Sequence, residues 1–193
     1  MGGVAGPGAV RGGEVPPSPS QVVRLGPPEP FESFYRRELV GVVALARALC
    51  GPAHADDVAQ EAMLAAYRRW DDVQHLDRPG AWVRRVAVNM ATSTLRRRTV
   101  EAKALLRLGA RPPVVAELEP SADAFWAEVR RLPRRQAQVV AMHYVEDLSV
   151  ADVAVTLGCA EGTVKQHLSR ARTALAARLA GWRDPVSEGE ETA

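Results

Sequence analysis

The chain has 193 residues and 47% apolar content, enough for one large or two small cores, but its aromatics are only 5%, so those cores are expected to be rich in Ala, Val and Leu. No apolar run reaches bilayer-spanning length, the start lacks a charged-then-apolar export pattern, and Cys50 and Cys159 match neither a metal nor a disulfide framework. These features argue against a membrane or disulfide-rich secreted protein and predict a cytoplasmic one, and the net charge of +2 conceals strong segregation.

Residues 1–30 are rich in Gly, Pro and Ser without an apolar period and are expected to be a disordered extension. Phe34, Leu39, Val42, Val43, Ala46 and Leu49 then recur at helical spacing within "FESFYRRELVGVVALARALC", and "GPAH" breaks that helix. A second helix is predicted over "ADDVAQEAMLAAYRRW", with Asp56 and Asp57 favourable at its positive end. From Phe31 to Asp77 the chain carries 5 basic and 8 acidic residues. Asp57, Gln60, Glu61 and Leu64 share one face of the second helix by i, i+3, i+4, i+7 spacing; on spacing alone the row reads first as a solvated helix start, with a docking surface for a basic partner as the alternative.

The polar stretch Asp71 to Asp77 reads as a loop able to pocket an unstacked base. A third helix, "AWVRRVAVNMATSTLRRR", follows. The segment from Arg78 to Arg107 holds 8 basic residues against one acidic, the signature of a polyanion contact. Trp82, Arg85, Asn89, Ser93 and Arg96 form one stripe of this helix, suited to stacking on bases and following the phosphates of a single strand. Trp82 fits a core position equally well, and composition alone favours that reading. Val83, Ala87, Met90 and Thr94 form the neighbouring stripe and are expected to face the core.

Prolines mark 108–121 as a flexible linker. Four shorter helices are predicted beyond it: Ala122 to Arg131, Pro133 to Glu146, Val150 to Leu157, and Glu161 to about Ala180. Ser149 to Asp152 is a capping-box-like start, and Gly158 can take the left-handed turn between the last two helices. Val164, Leu168, Ala171 and Leu175 form the inward stripe of the last helix, while Thr163, Lys165, Gln166, Ser169 and Arg170 lie outward and Arg172 flanks them. This is a helix-turn-helix pattern whose second helix can enter the major groove, Gln and Arg pairing with base edges and Lys and Arg with phosphates. The tail 182–193 is expected to be acidic and disordered. No window alternates at period two. The expected fold is therefore all-α, with two small helical domains, 31–107 and 122–181, joined by a flexible Pro-rich linker.

The order "DDVAQEAML", "RPGAWVRRVAVNMATSTLRRR", a Pro-rich linker and "RLPRRQAQVVAMHYVEDLSVADVAVTLGCAEGTVKQHLSRAR" closely resembles the extracytoplasmic-function (group IV) sigma factors of bacterial RNA polymerase, actinobacterial members most of all. The resemblance spans about Phe31 to Leu179. It implies a promoter-specificity subunit without a catalytic site or cofactor, whose partners are core RNA polymerase and promoter DNA, with an anti-sigma factor as a further candidate. It assigns Asp57, Gln60, Glu61 and Leu64 to polymerase docking. The Asp71–Asp77 loop and the helix carrying Trp82, Arg85, Asn89, Ser93 and Arg96 match the part that melts and reads the minus-ten element. The helix from Glu161, with Thr163, Lys165, Gln166, Ser169, Arg170 and Arg172, matches the minus-thirty-five reader. Ser93 stands where the family motif Asn-x-x-x-Asp-x-x-Arg has aspartate, and Gln166-His167 where many members have Ser-Arg, so no promoter consensus carries over.

Two other readings use the same residues. "EGTVKQHLSRA" also resembles the DNA-binding domain of LuxR-type regulators, but the βα alternation of a receiver domain is missing from the rest of the chain. His54, Asp56, Asp57 and Glu61 could bind a hard cation in a metal-dependent enzyme. Adjacent aspartates diverge on a helix, however, and no nucleophile or general acid accompanies them.

Overall fold

The structure, a computed structural model, describes residues 29–107 and 122–180. The expected extension (apart from Glu29 and Pro30), the linker 108–121 and the acidic tail lie outside the described residues. Eight helices and no strand are present among the described residues: α1 (Phe31–Cys50), α2 (Pro52–Arg68), α3 (Trp70–Val73), α4 (Pro79–Arg107), α5 (Ala122–Arg130), α6 (Arg134–Val145), α7 (Val150–Leu157) and α8 (Glu161–Leu179). The all-α expectation holds.

Local chemistry sets the boundaries. Pro30 is extended before α1, and its carbonyl accepts from the Ser33 and Phe34 amides. Gly51, at φ 85°, ends α1 and starts α2, a backbone conformation open to glycine at little cost. Pro52 follows at the first position of α2, where its missing N–H is no loss. The second helix thus starts before Ala55, correcting the reading of "GPAH" as a wholly non-helical break. Asp56 and Asp57 consequently lie beyond its first turn, where the helix dipole favours them less. The polar loop contains the single turn α3, pinned by Val73, which is 1% exposed. The third predicted helix also runs longer than expected, from Pro79 to Arg107.

Two apolar clusters hold the fold. One joins Phe34 and Val42 of α1 to Ala59, Ala62, Met63 and Ala66 of α2 and to Val83 and Ala87 of α4. The alanines of α2 let its backbone lie close to its neighbours, which is how a chain with so few aromatics fills a core at normal density. The second cluster starts on other faces of α1 and α4, with Leu45, Leu49, Val88 and Ala91, and continues through Val129, Val139, Met142, Val153, Leu157, Val164 and Leu168. The two helical units therefore share a core. Helices α1 and α4 are each buried on two sides, one within the first unit and one against the second.

Polar contacts reinforce the junction. Arg130 Nη1 of α5 donates to the Ala48 carbonyl at 3.2 Å, satisfying an acceptor near the end of α1. Burial pulls the Arg130 guanidinium below its usual value, and nearby Asp123 opposes that pull. Gln138 of α6 is fully buried, and its amide donates to Thr92 Oγ1 at 3.3 Å, to Asn89 Oδ1 at 3.2 Å and to the Val88 carbonyl at 3.4 Å.

Candidate protein-docking and nucleic-acid interfaces

The face predicted on α2 exists as a continuous exposed ridge. Asp57, Gln60, Glu61 and Leu64 line an open groove of about 580 Å³ whose other walls are Phe31, Tyr35, Met63 and Tyr67. Asp57 and Glu61 also line a second groove of about 570 Å³, between α2 and α4, with His54, Met90, Ser93, Thr94, Arg97 and Arg98. The two carboxylates thus separate an aromatic groove from a basic one. Leu64 is 39% and Tyr67 61% exposed, large apolar surface beside acids, the chemistry of a site for a partner with cations around an apolar patch.

The aromatic wall is absent from the sequence expectation. Phe31 packs against Tyr67 (centroids 5.0 Å apart), Trp70 (5.3 Å) and Tyr35 (6.0 Å). The available signal was the i, i+4 spacing of Phe31 and Tyr35 and the i, i+3 spacing of Leu64 and Tyr67. Among the described residues, no group of three or more His, Cys, Asp or Glu is placed to hold a metal ion.

The expected stripe on α4 divides into three environments. Trp82 is half-buried against the first cluster, with the Arg69 guanidinium 5.8 Å from its ring centroid. Arg85 and Asn89 face the second unit. The Arg85 Nη2 atom lies 3.4 Å from where a Cβ on Gly158 would stand, and Asn89 Oδ1 accepts from Arg134 Nη2 at 2.8 Å. Ser93 and Arg96 are exposed, although the Ser93 hydroxyl donates to the Asn89 carbonyl of its own helix at 2.8 Å. Burial, then Arg135 and Arg96, pull the Arg134 guanidinium of α6 below its usual value.

The helix-turn-helix has the anticipated local devices. Ser149 Oγ accepts from the Asp152 amide at 3.1 Å and donates to the Asp152 carboxylate at 2.6 Å. Asp152 also pairs with Arg78 at the start of α4. The Ser149 hydroxyl, followed by Arg78, holds the Asp152 carboxyl below the usual range, so this contact between the units persists into mild acid. Gly158 is left-handed at φ 66°, ψ 48°. Val164, Leu168, Ala171 and Leu175 are the buried residues of α8. Thr163, Lys165, Gln166, Ser169 and Arg170 are all exposed. Arg172 is tethered, its Nε donating to the Tyr144 hydroxyl at 2.9 Å and its guanidinium lying 5.9 Å from that ring centroid.

Comparison with known proteins matches both units. Residues 34–100 match the family "Sigma-70 region 2", and residues 122–175 match "Sigma-70, region 4". The ECF RNA polymerase sigma factor SigM of Mycobacterium tuberculosis is 35% identical over 156 residues, 79% of this chain and 78% of that protein. The RNA polymerase sigma-E factor of Streptomyces coelicolor is 30% identical over 151 residues, 77% of this chain and 85% of that protein. Among solved structures, the Bartonella quintana sigma factor RpoE, crystallised in complex with the anti-sigma factor NepR, superposes at a TM-score of 0.62 with 25% identity, covering 79% of this chain and 98% of that one.

Proposed function

This chain belongs to the extracytoplasmic-function branch of the sigma-70 family, and from that premise we propose how its residues divide the work. The protein is an alternative sigma factor: it binds core RNA polymerase and directs it to promoters for transcription initiation. As a member of this family it is a regulatory factor. Among the described residues no helix is long and apolar enough to cross a membrane. We place its action in the cytoplasm, where polymerase and promoter DNA meet.

In this reading residues 31–107 bind core polymerase and handle the minus-ten element, and residues 122–181 read the minus-thirty-five element. Asp57, Gln60, Glu61 and Leu64, with the aromatic wall of Phe31, Tyr35 and Tyr67, form the polymerase-docking face. Arg85, Asn89, Ser93 and Arg96 meet the unpaired strand, and Trp82 orients the helix that carries them. Gln166 and Arg170 read bases, while Thr163, Lys165, Ser169 and Arg172 position the helix on the backbone. An anti-sigma factor is a fitting regulator, since the Bartonella relative was crystallised with one.

The observation that carries the assignment is the free outer face of α8. Its five central polar side chains are exposed and opposite a fully formed apolar stripe. Gln166→Ala and Arg170→Ala are each expected to reduce discrimination at one upstream position by about 1–3 kcal/mol, the range of a bidentate base contact. Arg172→Ala should weaken binding evenly across sequences, as loss of a phosphate contact does. A scan of upstream-element variants with holoenzyme measures both. Identical base preferences in wild type and Gln166→Ala would remove Gln166 from the reading set.

A further inference from the structure

Arg172 is held differently from the other tethered arginines of this chain. Arg78, Arg84, Arg131 and Arg178 each stand against a carboxylate, Arg178 of the same helix lying 3.8 Å from Glu128 Oε2. Among the described residues no carboxylate pairs with Arg172. Its Nε donates instead to the neutral Tyr144 hydroxyl of α6 at 2.9 Å, and its guanidinium lies over that ring. A neutral partner fixes the direction of the guanidinium without cancelling its charge, and the remaining N–H donors of the fork stay uncommitted.

The packing of the second unit sets this up. Val139 and Met142 of α6 and Leu168 of α8 belong to one apolar cluster, which brings the last turn of α6 to the flank of α8. His143 Nδ1 donates to the Leu148 carbonyl at 2.8 Å across the turn that closes α6, and its ring stands edge-on to Tyr144 with centroids 4.9 Å apart. Tyr144 is thus fixed between His143 and Arg172 although it is 50% exposed. Its phenol carries a single proton, and the oxygen already accepts from Arg172. Among the described residues no protein group accepts that proton. On α8, Lys165, Ser169 and Arg172 follow one another at i, i+4, i+7 spacing along one edge, with Lys165 and Ser169 exposed. Tyr144 widens this edge from a second helix.

We propose that Tyr144 is a further DNA-contacting residue: with Arg172 it forms a two-part clamp on one phosphate of the upstream element, the guanidinium supplying charge and the phenol O–H a directed hydrogen bond. The proposal rests on the reading of α8 as the helix that enters the minus-thirty-five element. Phosphate oxygens accept from arginine and tyrosine side chains alike, and such contacts fix the register of a reading helix without carrying sequence information. Base contacts by Gln166 and Arg170 need a fixed depth and angle in the groove, and a clamp anchored on α6 supplies a point of support outside α8 itself. The shared hydroxyl acts in both directions. Accepting from a cation strengthens its own donation to an anion, and holding Arg172 before DNA arrives lowers the cost of ordering a long side chain. A carboxylate in place of the phenol would aim Arg172 equally well but would repel the phosphate.

The test uses the full chain in holoenzyme, on a promoter in which each upstream-element phosphate in turn is replaced by an uncharged methylphosphonate. Tyr144→Phe keeps the ring, its packing on His143 and the cation over its face, and removes only the hydroxyl. Promoter affinity should fall about three- to tenfold, as for one lost hydrogen bond, evenly across base variants. In wild type one methylphosphonate position should weaken binding most. In Tyr144→Phe that position should cost correspondingly less while the others cost the same, the non-additivity of two changes to one contact. Arg172→Ala should flatten the dependence of log affinity on log salt by about 0.9, because it carries the charge, whereas Tyr144→Phe should leave that slope unchanged. Wild-type affinity in Tyr144→Phe, or methylphosphonate costs equal in both proteins at every position, would overturn the clamp. A slope flattened in Tyr144→Phe as much as in Arg172→Ala would also overturn it, since Tyr144 would then only aim Arg172. Holoenzyme binding indifferent to the upstream element, in wild type as well, would instead contradict the assignment of α8 on which the clamp rests.

Discussion

Replacing Asp57 and Glu61 together with lysine should reduce the affinity for core polymerase at least about 100-fold, because like charges brought together across an interface cost several kcal/mol. Both residues are exposed, so the double variant should fold with a stability close to wild type. The structure sharpens the expectation. These two carboxylates separate the groove containing Phe31, Tyr35 and Tyr67 from the groove containing Arg97 and Arg98, so a partner cation seated on the ridge is excluded from both sides when the charge reverses. Asp56→Lys is the matched control for Asp57→Lys alone: the same charge change one residue away, on a side chain that lines neither groove. Equilibrium binding of labelled chain to core enzyme measures the difference, and equal losses for both changes would mean that net charge, not this face, governs docking.

The second large effect is expected at Asn89. Its side-chain oxygen accepts from Arg134 and Gln138, and both bonds join α4 to α6. Asn89→Ala removes them while leaving Gln138 its contacts with Thr92 and the Val88 carbonyl. Core binding should be retained, because the proposed docking face lies on α2. Open-complex formation should fall by about one to two orders of magnitude, since a lost bidentate hydrogen-bond contact to a base edge costs about 1–3 kcal/mol. Permanganate reactivity of unpaired thymines reports this directly. Wild-type reactivity in the Asn89→Ala holoenzyme would leave Asn89 a purely structural role at the junction.

The helices, their order and the docking and base-reading candidates were legible because each rests on short-range pattern. The inward stripe of α8 is a sum of i, i+3 and i+4 relations that the chain spells out directly. Ser149 and Gly158 announce a cap and a left-handed turn by chemistry that depends only on neighbours. What pattern could not show was that the two units share a core. Val88, Ala91 and Thr92 lie beside the predicted core stripe of α4 and read as ordinary helix residues until the second unit is placed on them. Glu38 and Gln138 would be assigned to solvent by residue type, yet they are 7% and 0% exposed, because their partners come from distant parts of the chain. Trp82 illustrates the same limit. Its position on the polar stripe was readable, but the Arg69 guanidinium near its ring comes from another helix.

The account turns on one claim, that this chain reads promoters as part of polymerase and not alone. Gel-shift titration of the full chain on its own promoter, with and without core enzyme at physiological salt, tests it most directly. The account predicts weak, poorly discriminating binding by the free chain, whose Asn89 and Arg85 are held against the second unit. Core polymerase should convert this to specific, melting-competent binding. Tight and specific binding to duplex DNA by the chain alone, unaltered by core enzyme, would contradict it, and would match instead a LuxR-type regulator on paired half-sites.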